Sequence, residues 1–150
     1  MNEYIILCNS CNCLLLQSKH IESPAIFSSQ LYLILSNKIT SVLPSNEPKH
    51  NTDGLLIDKN CVYYELFCKN CENSVGKIFL STNKWLDDLK EKYLIVEKAV
   101  KCFLLEESKY LNLKDLLLKF GIEATNYDEI KKNSKMKAKE VKFLFLPCLF

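Results

Sequence analysis

The chain has 150 residues, about one domain, and its 48% apolar and 25% charged residues are typical of a globular rather than a disordered protein. The net charge of +2 predicts no dominant electrostatic partner, and all 20 basic residues are lysine. Because arginine supplies the bidentate fork that reads guanine, its absence argues against sequence-specific DNA recognition.

Predicted strands fill the N-terminal two thirds of the chain. Segments 3–7, 61–67 and 75–81 are rich in β-branched and aromatic residues, and each is predicted to be a strand. Segment 26–35 has the same composition and is predicted to form one or two strands. Segment 43–60 contains two prolines, a glycine and several Asn and Asp residues, so we expect an exposed, flexible loop.

The pattern becomes helical after residue 106. Segment 92–104 is predicted to be a strand followed by a helix or a second strand. Apolar residues then recur at the spacing of one helical face, namely Leu113, Leu116, Leu117 and Phe120. Gly121 follows where helices commonly end, and Asp128 and Glu129 lie early in a second helical segment. The first helix is expected to bury its apolar face against this domain or against another subunit.

The chain end combines a basic run with an apolar terminus. Segment 131–142 contains six lysines and one acidic residue, Glu140, so its net charge is +5. The rest of the chain has a net charge of −3. The run is predicted to be a solvated helix face or a nuclear-import signal, with non-specific nucleic-acid binding as the alternative. The apolar segment 143–150 is expected to pack onto this fold or a partner subunit. The N-terminus lacks the pattern of a signal peptide, and no run of about 20 apolar residues predicts a membrane span.

Two C-x-x-C pairs are the most specific signal in the chain. They are Cys8, Cys11, Cys68 and Cys71. Two such turns can supply four thiolates to one tetrahedral zinc ion, and 56 residues separate the pairs, so the metal would close a whole β segment. A redox pair, an iron–sulfur cluster and buried cysteines without metal are the alternatives. A zinc ion with four protein ligands has no open position for water, which favours a structural role over catalysis.

The other cysteines and the two histidines are assigned no catalytic role. Cys13 could replace Cys11 as a ligand, but the repeat of C-x-x-C at the second pair favours Cys11. Cys61 and Cys102 have apolar neighbours and are predicted to be small core residues, whereas Cys148 lies near the chain end. The residues expected at the surface are His20 and His50. No phosphate-binding loop, nucleophile elbow or metalloprotease helix is present in the sequence.

The sequence around the second cysteine pair resembles Yippee-like zinc domains. The similar motif runs from Tyr63 to Phe79 as Tyr-x-Glu-Leu-x-Cys-x-x-Cys-x-x-x-Val-Gly-x-Ile-Phe, after a first C-x-x-C and a long β-rich gap. The continuation at 81–93 resembles the Mis-eighteen kinetochore branch, although Asn83 stands where that branch usually has proline. The similarity is clear over 61–98 and thin over 4–18.

The resemblance implies a fold and a function. It implies a mainly β, β-tent-like domain over 1–106, with two small antiparallel sheets pinned by one structural zinc, and a helical oligomerisation or partner region over 107–150. Similar proteins are non-enzymatic scaffolds that form dimers or larger homo-oligomers. They act in the nucleus at centromeres and kinetochores. They recruit the chaperone of the centromere-specific histone variant and a WD-repeat histone-binding protein. A generic Yippee-like protein-binding adaptor is the alternative.

Two further residues are singled out near this motif. Gly76 follows the second pair, and we expect it to permit either a positive φ or a close backbone approach. Trp85, the one tryptophan, is predicted to anchor a subunit contact or to lie in the core. We make the same prediction of a subunit or partner contact for the apolar face of the first helix.

Overall fold

The structure, a computed structural model, describes residues 3–134. Within this range the chain forms a four-stranded sheet and an eight-stranded sheet, followed by two helices. The predicted mainly β fold with two sheets and C-terminal helices is therefore confirmed. The lysines beyond residue 134, the apolar segment 143–150 and Cys148 lie outside the described residues.

The four-stranded sheet is antiparallel and contains the first strand at its centre. Its strands are β1 (Tyr4–Cys8), β2 (Leu14–Gln17), β10 (Val100–Leu104) and β11 (Lys109–Leu111). They lie in the order β11-β10-β1-β2. Strand β1 does not alternate, because Tyr4, Ile6, Leu7 and Cys8 are buried and Ile5 is half-buried. The sheet thus joins the first residues of the domain to strands more than ninety residues later in the chain.

The eight-stranded sheet collects the central strands and one strand from the chain's last third. Its strands are β3 (Ile21–Phe27), β4 (Gln30–Leu35), β5 (Val42–Pro44), β6 (Lys49–His50), β7 (Val62–Cys68), β8 (Ser74–Ser81), β9 (Tyr93–Val96) and β12 (Thr125–Asn126). They lie in the order β12-β3-β4-β9-β8-β7-β5, with β6 beside β7. Pairing is antiparallel except between β12 and β3, which are parallel. The ambiguity over 92–104 is resolved in favour of two strands.

Strand β4 is apolar at almost every position because both of its faces are buried. Leu31, Leu33 and Leu35 point into a first core, which combines residues from both sheets and the first helix. Tyr32 and Ile34 point into a second core on the opposite face of the eight-stranded sheet. A strand buried on both faces loses the apolar–polar alternation of a surface strand.

The segment predicted as one or two strands is a hairpin that begins five residues earlier than expected. Its turn is Ser28–Ser29, and both residues have a positive φ, 49° and 60°. Two consecutive residues with positive φ form a type I′ turn. The usual sequence signal for this turn is Asn-Gly, so Ser-Ser did not indicate it. The backbone N–H groups of Ser28 and Ser29 donate to the Asp128 carboxylate at 3.0 and 2.9 Å. A residue one hundred positions away therefore holds this turn.

The first helix, α1 (Leu113–Lys119), carries the predicted leucine face and ends just before Gly121, as predicted. The side chain of Asn112 accepts a hydrogen bond from the backbone N–H of Asp115 at 2.8 Å, which caps the N-terminus. Gly121 has a φ of 64° and ends the helix. The N–H of Ile122 donates to the carbonyl of Leu117 at 2.9 Å, which completes a Schellman motif.

The apolar face of α1 is covered by this chain. Leu113, Leu116 and Leu117 are buried in the first core, and the Phe120 ring stacks on Tyr4 with 5.8 Å between the ring centroids. Burial against this domain is thus the alternative that the structure supports, because little of these three leucines is open to another subunit. A second helix, α2, covers 127–134, in agreement with the helical start predicted at Asp128 and Glu129.

Segment 43–60 is not an exposed loop throughout, which corrects the prediction. It contributes residues to β5 and forms β6, and its last part buries Ile57 and Asp58 in or beside the second core. Asp58 is only 2% exposed, and its Oδ1 accepts hydrogen bonds from Ser28 and Asn51, both at 2.7 Å. These bonds satisfy a buried carboxylate, which would otherwise be costly.

Asp58 also faces a buried cation. Its Oδ2 lies 3.7 Å from the Lys77 ammonium, whose side chain is 19% exposed. Four aromatic rings surround this ammonium at 4.6 to 5.9 Å, namely Phe27, Tyr32, Tyr63 and Phe79. Burial lowers the pKa of Lys77, and the charge of Asp58 opposes that shift. The pair joins the 43–60 segment to the eight-stranded sheet.

The helices described are both short. None of the helices within residues 3–134 has the length and apolar character needed to cross a bilayer.

Glycine is required at position 76 because the neighbouring backbone approaches it closely. The φ of Gly76 is not positive. It lies on β8 opposite Ile95 of β9, and a Cβ at this position would stand 1.9 Å from the carbonyl oxygen of Leu94. No side chain can occupy that space unless the two central strands separate. The second of the two roles predicted for this glycine is the one observed.

We expect Gly76→Ala to lower the free energy of unfolding of the zinc-loaded protein by about 3 kcal/mol, because overpacking forces β8 and β9 apart. Gly54→Ala is the matched control, since its Cβ would meet only the Lys59 side chain at 3.7 Å, and it should change stability by less than about 0.5 kcal/mol. Urea unfolding with a zinc-saturated buffer measures both. Equal unfolding midpoints for the two variants would refute the steric argument.

Candidate metal centre

The first cysteine pair lies in a tight turn between β1 and β2. The N–H of Asn12 donates to the carbonyl of Cys8 at 2.9 Å, and the N–H of Cys8 donates to the carbonyl of Cys13 at 2.9 Å. We call this turn, residues 8–13, the first knuckle.

The turn between β7 and β8, residues 68–73, has the same geometry and is called the second knuckle. The N–H of Glu72 donates to the carbonyl of Cys68 at 2.8 Å, and the N–H of Cys68 donates to the carbonyl of Asn73 at 2.9 Å. The fifth residue of each knuckle has a positive φ, 66° for Asn12 and 65° for Glu72. Asparagine tolerates this conformation, but glutamate rarely adopts it, so the positive φ of Glu72 could not be predicted from the residue type. The matching turns explain the duplicated C-x-x-C.

The two knuckles bring the four predicted thiols into one cluster. Their ligand sulfurs all lie within 4.8 Å of one another, and they belong to Cys8, Cys11, Cys68 and Cys71. The Cys8 and Cys71 sulfurs are 3.6 Å apart, and the Cys11 and Cys68 sulfurs are 3.7 Å apart. A tetrahedral zinc ion with Zn–S bonds of about 2.3 Å places its sulfurs about 3.8 Å apart. The cluster therefore fits one structural zinc ion.

The thiols of the cluster differ in acidity. Burial raises the pKa of the Cys8 and Cys68 thiols to about 11. Hydrogen bonds from the Asn70 side chain and from the Cys13 backbone lower the pKa of Cys11 to about 6. The positive charge of a divalent cation would stabilise the two buried thiolates. Zinc bound here would cross-link the two knuckles and would leave no coordination position open.

Cys13 lies closer to the cluster than the sequence suggested. Its sulfur is 3.3 Å from the Cys68 sulfur, a shorter distance than that from Cys11 to Cys68. The group of four sulfurs that lie within 4.8 Å of one another does not include it. The sequence leaves Cys13 as a possible replacement for Cys11 and favours Cys11, because C-x-x-C repeats at the second pair.

The remaining cysteines and the histidines lie away from the cluster. Cys61 and Cys102 are fully buried in the second and first cores respectively, which confirms them as small core residues. His20 and His50 are exposed, as predicted.

Trp85 lies on the second core and not at the metal cluster. It is half-buried there, and the ammonium groups of Lys84 and Lys131 stand over its ring at 5.0 and 6.0 Å. The predicted contact residues on α1 pack into the first core, as described above. The structure therefore brings the four predicted cysteines together, whereas the predicted contact residues lie on two different cores.

Two β-sheets held by matching C-x-x-C knuckles define a zinc-stabilised β-domain. A family model described as "Yippee zinc-binding/DNA-binding /Mis18, centromere assembly" matches residues 4–114. The chain belongs to this Yippee/Mis18 family. The resemblance noted in the sequence is thereby confirmed, and so is the expectation of one structural zinc.

Two comparisons concern Mis18 itself. The kinetochore protein mis18 of Schizosaccharomyces pombe is 42% identical over 45 residues, which are 30% of this chain and 21% of that protein. The match thus spans about a fifth of the relative's length. A crystal structure of the Mis18 "Yippee-like" domain superimposes with a TM-score of 0.56 and 27% identity, and it covers 69% of this chain and 97% of that one.

A more distant protein shares the fold alone. The C-terminal domain of Caenorhabditis elegans Dicer-related helicase 3, solved with a 5′-triphosphate single-stranded RNA, superimposes with a TM-score of 0.51. Its sequence identity is 13%, and the match covers 84% of this chain and 68% of that one. At this identity the comparison supports only the sheet architecture.

We expect the Cys71→Ser variant to lose its zinc and its cooperative unfolding transition, because the three remaining thiolates cannot complete the zinc site that links the two knuckles. Cys102→Ala is the matched control, since Cys102 is buried but lies outside the cluster, and it should keep one zinc per chain. Zinc content by atomic emission and thermal unfolding by circular dichroism measure both effects. A Cys71→Ser protein that is folded and free of metal would contradict the structural role of zinc.

Proposed function

We propose that this chain is a non-enzymatic, zinc-stabilised scaffold that primes centromeric chromatin in the nucleus. The observation that carries the proposal is the family match over 4–114, whose description names centromere assembly. The similarity to a kinetochore protein and to the Mis18 domain supports it. The four-thiol site is consistent with it, because a zinc ion with four protein ligands has no vacant position for a reacting molecule.

The proposed partners follow from the same resemblance. The scaffold would recruit the chaperone of the centromere-specific histone variant and a WD-repeat histone-binding protein. Contact with nucleic acid is secondary in this proposal and non-specific, through lysines such as Lys131 and Lys132. The family description also names DNA binding, which makes a lysine-dependent nucleic-acid protein the second candidate.

A tagged copy of the chain is expected to concentrate at centromeres around mitotic exit, when a priming factor must act. The Cys71→Ser variant should be diffuse, because it loses the fold, whereas Cys102→Ala should still localise. Fluorescence microscopy against a centromere marker through the cell cycle measures this. A diffuse signal from a zinc-loaded wild-type chain at every stage would contradict the proposal and favour a generic Yippee-like adaptor.

We also propose that the chain assembles with itself, and that the outward side of α1 contributes to the contact. The inward leucines of α1 are buried in the first core, so they cannot carry it without leaving that core. Leu118 is 80% exposed on the other side of the helix, and Ile122 beyond the helix end is 38% exposed. Exposed large apolar side chains are common at protein contacts.

Light scattering after gel filtration should give the wild-type chain a mass above the 17.4 kDa of one copy. Leu118→Glu should shift it toward the monomer with unchanged zinc content, because a carboxylate in an apolar contact is costly. Leu55→Glu is the matched control, since Leu55 is 95% exposed and lies in segment 43–60. A wild-type monomer, or equal behaviour of both variants, would refute this contact.

A further inference from the structure

Cys13 gives the metal cluster a fifth thiol that the C-x-x-C pattern does not require. Its sulfur stands 3.3 Å from that of Cys68, while the Cys11 sulfur stands 3.7 Å from it. Cys11, Cys13 and Cys71 are half-buried, whereas Cys8 and Cys68 are buried. The extra thiol is therefore partly exposed, like the Cys11 thiol beside it.

The second knuckle shows that this thiol is an addition to the turn. The two knuckles share their backbone hydrogen bonds and their positive φ, so Cys13 in the first corresponds to Asn73 in the second. The backbone carbonyl makes the same bond at both positions. The turn therefore does not demand a cysteine side chain at this position, and the thiol is free to serve another purpose.

We propose that Cys13 is a reserve zinc ligand that replaces Cys11 when the Cys11 thiolate is lost. A tetrahedral zinc ion takes four sulfurs about 3.8 Å apart, so a fifth sulfur at 3.3 Å from Cys68 cannot bind in addition to the other four. Rotation of the Cys13 side chain can bring its sulfur into the position beside Cys68 that the Cys11 sulfur leaves. The resulting spacing, Cys8-x-x-x-x-Cys13, lies within the range that structural zinc sites use.

The replacement is asymmetric, which makes it testable. The Cys71 sulfur lies 3.6 Å from that of Cys8, and Asn73, which corresponds to Cys13 in the second knuckle, cannot supply a thiolate in its place. Loss of Cys11 should therefore be tolerated, while loss of Cys71 should not. This inference concerns only the metal site and does not depend on the centromere role.

The test compares zinc retention and thiolate number in single and double variants of the full chain. Cys11→Ser and Cys13→Ser should each keep one zinc per chain, whereas the double variant and Cys71→Ser should lose it. The chelator concentration that removes half of the zinc should fall at least about tenfold for the last two, since even changes around a metal site commonly cost that much. Replacement with cobalt counts the thiolates, because the intensity of the sulfur-to-cobalt charge-transfer band rises with each bound sulfur.

Each outcome decides the proposal. Retained zinc and a four-thiolate cobalt spectrum in Cys11→Ser, lost in the double variant, would support it. Zinc loss in Cys11→Ser equal to that in Cys71→Ser, repeated with Cys11→Ala to remove any effect of the serine hydroxyl, would overturn it. Zinc loss in Cys13→Ser alone would also overturn it, because Cys13 would then be an obligatory ligand. So would a double variant that keeps its zinc, because neither thiol would then be needed.

Discussion

The rest of the structure depends on one zinc site, which four thiols form. Two come from the turn after β1 in the four-stranded sheet, and two from the turn after β7 in the eight-stranded sheet. The sheets share no strand, so the metal and the first core beneath it hold them together. Burial makes the Cys8 and Cys68 thiolates unfavourable without a cation, which couples metal binding to the packed state of both sheets.

Features set by neighbouring residues could be predicted from the sequence. The β-branched and aromatic runs before Cys8 and Cys68 are strands, and the duplicated knuckle spacing identified all four clustered thiols. The leucine spacing and Gly121 placed α1 and its end, because helix periodicity and a Schellman motif are properties of a few consecutive residues. In each case the sequence signal spans fewer than ten residues, although the thiols that it identified meet across as many as 63 positions of the chain.

Features set by distant residues could not be predicted. The Ser28–Ser29 turn depends on Asp128, and the buried carboxylate of Asp58 depends on Lys77 and on hydrogen bonds from two separate segments. Segment 43–60 has the composition of a loop, and part of it is buried because Ile57 packs into the second core and Asp58 pairs with Lys77. The proximity of Cys13 to Cys68 likewise arises from the meeting of two turns 55 residues apart.

The pairing of β1 with β10 has a consequence for synthesis of the protein. Tyr4 lies opposite Leu104, so the central strand of the smaller sheet has only its β2 partner until more than one hundred residues exist. The first knuckle emerges from the ribosome with two C-x-x-C thiols, and the second pair follows only after another 56 residues. Contacts so distant in sequence form slowly, and the nascent chain exposes an unpaired strand edge meanwhile. A cell that makes this protein must therefore keep the three thiols of the first knuckle reduced until the second knuckle emerges.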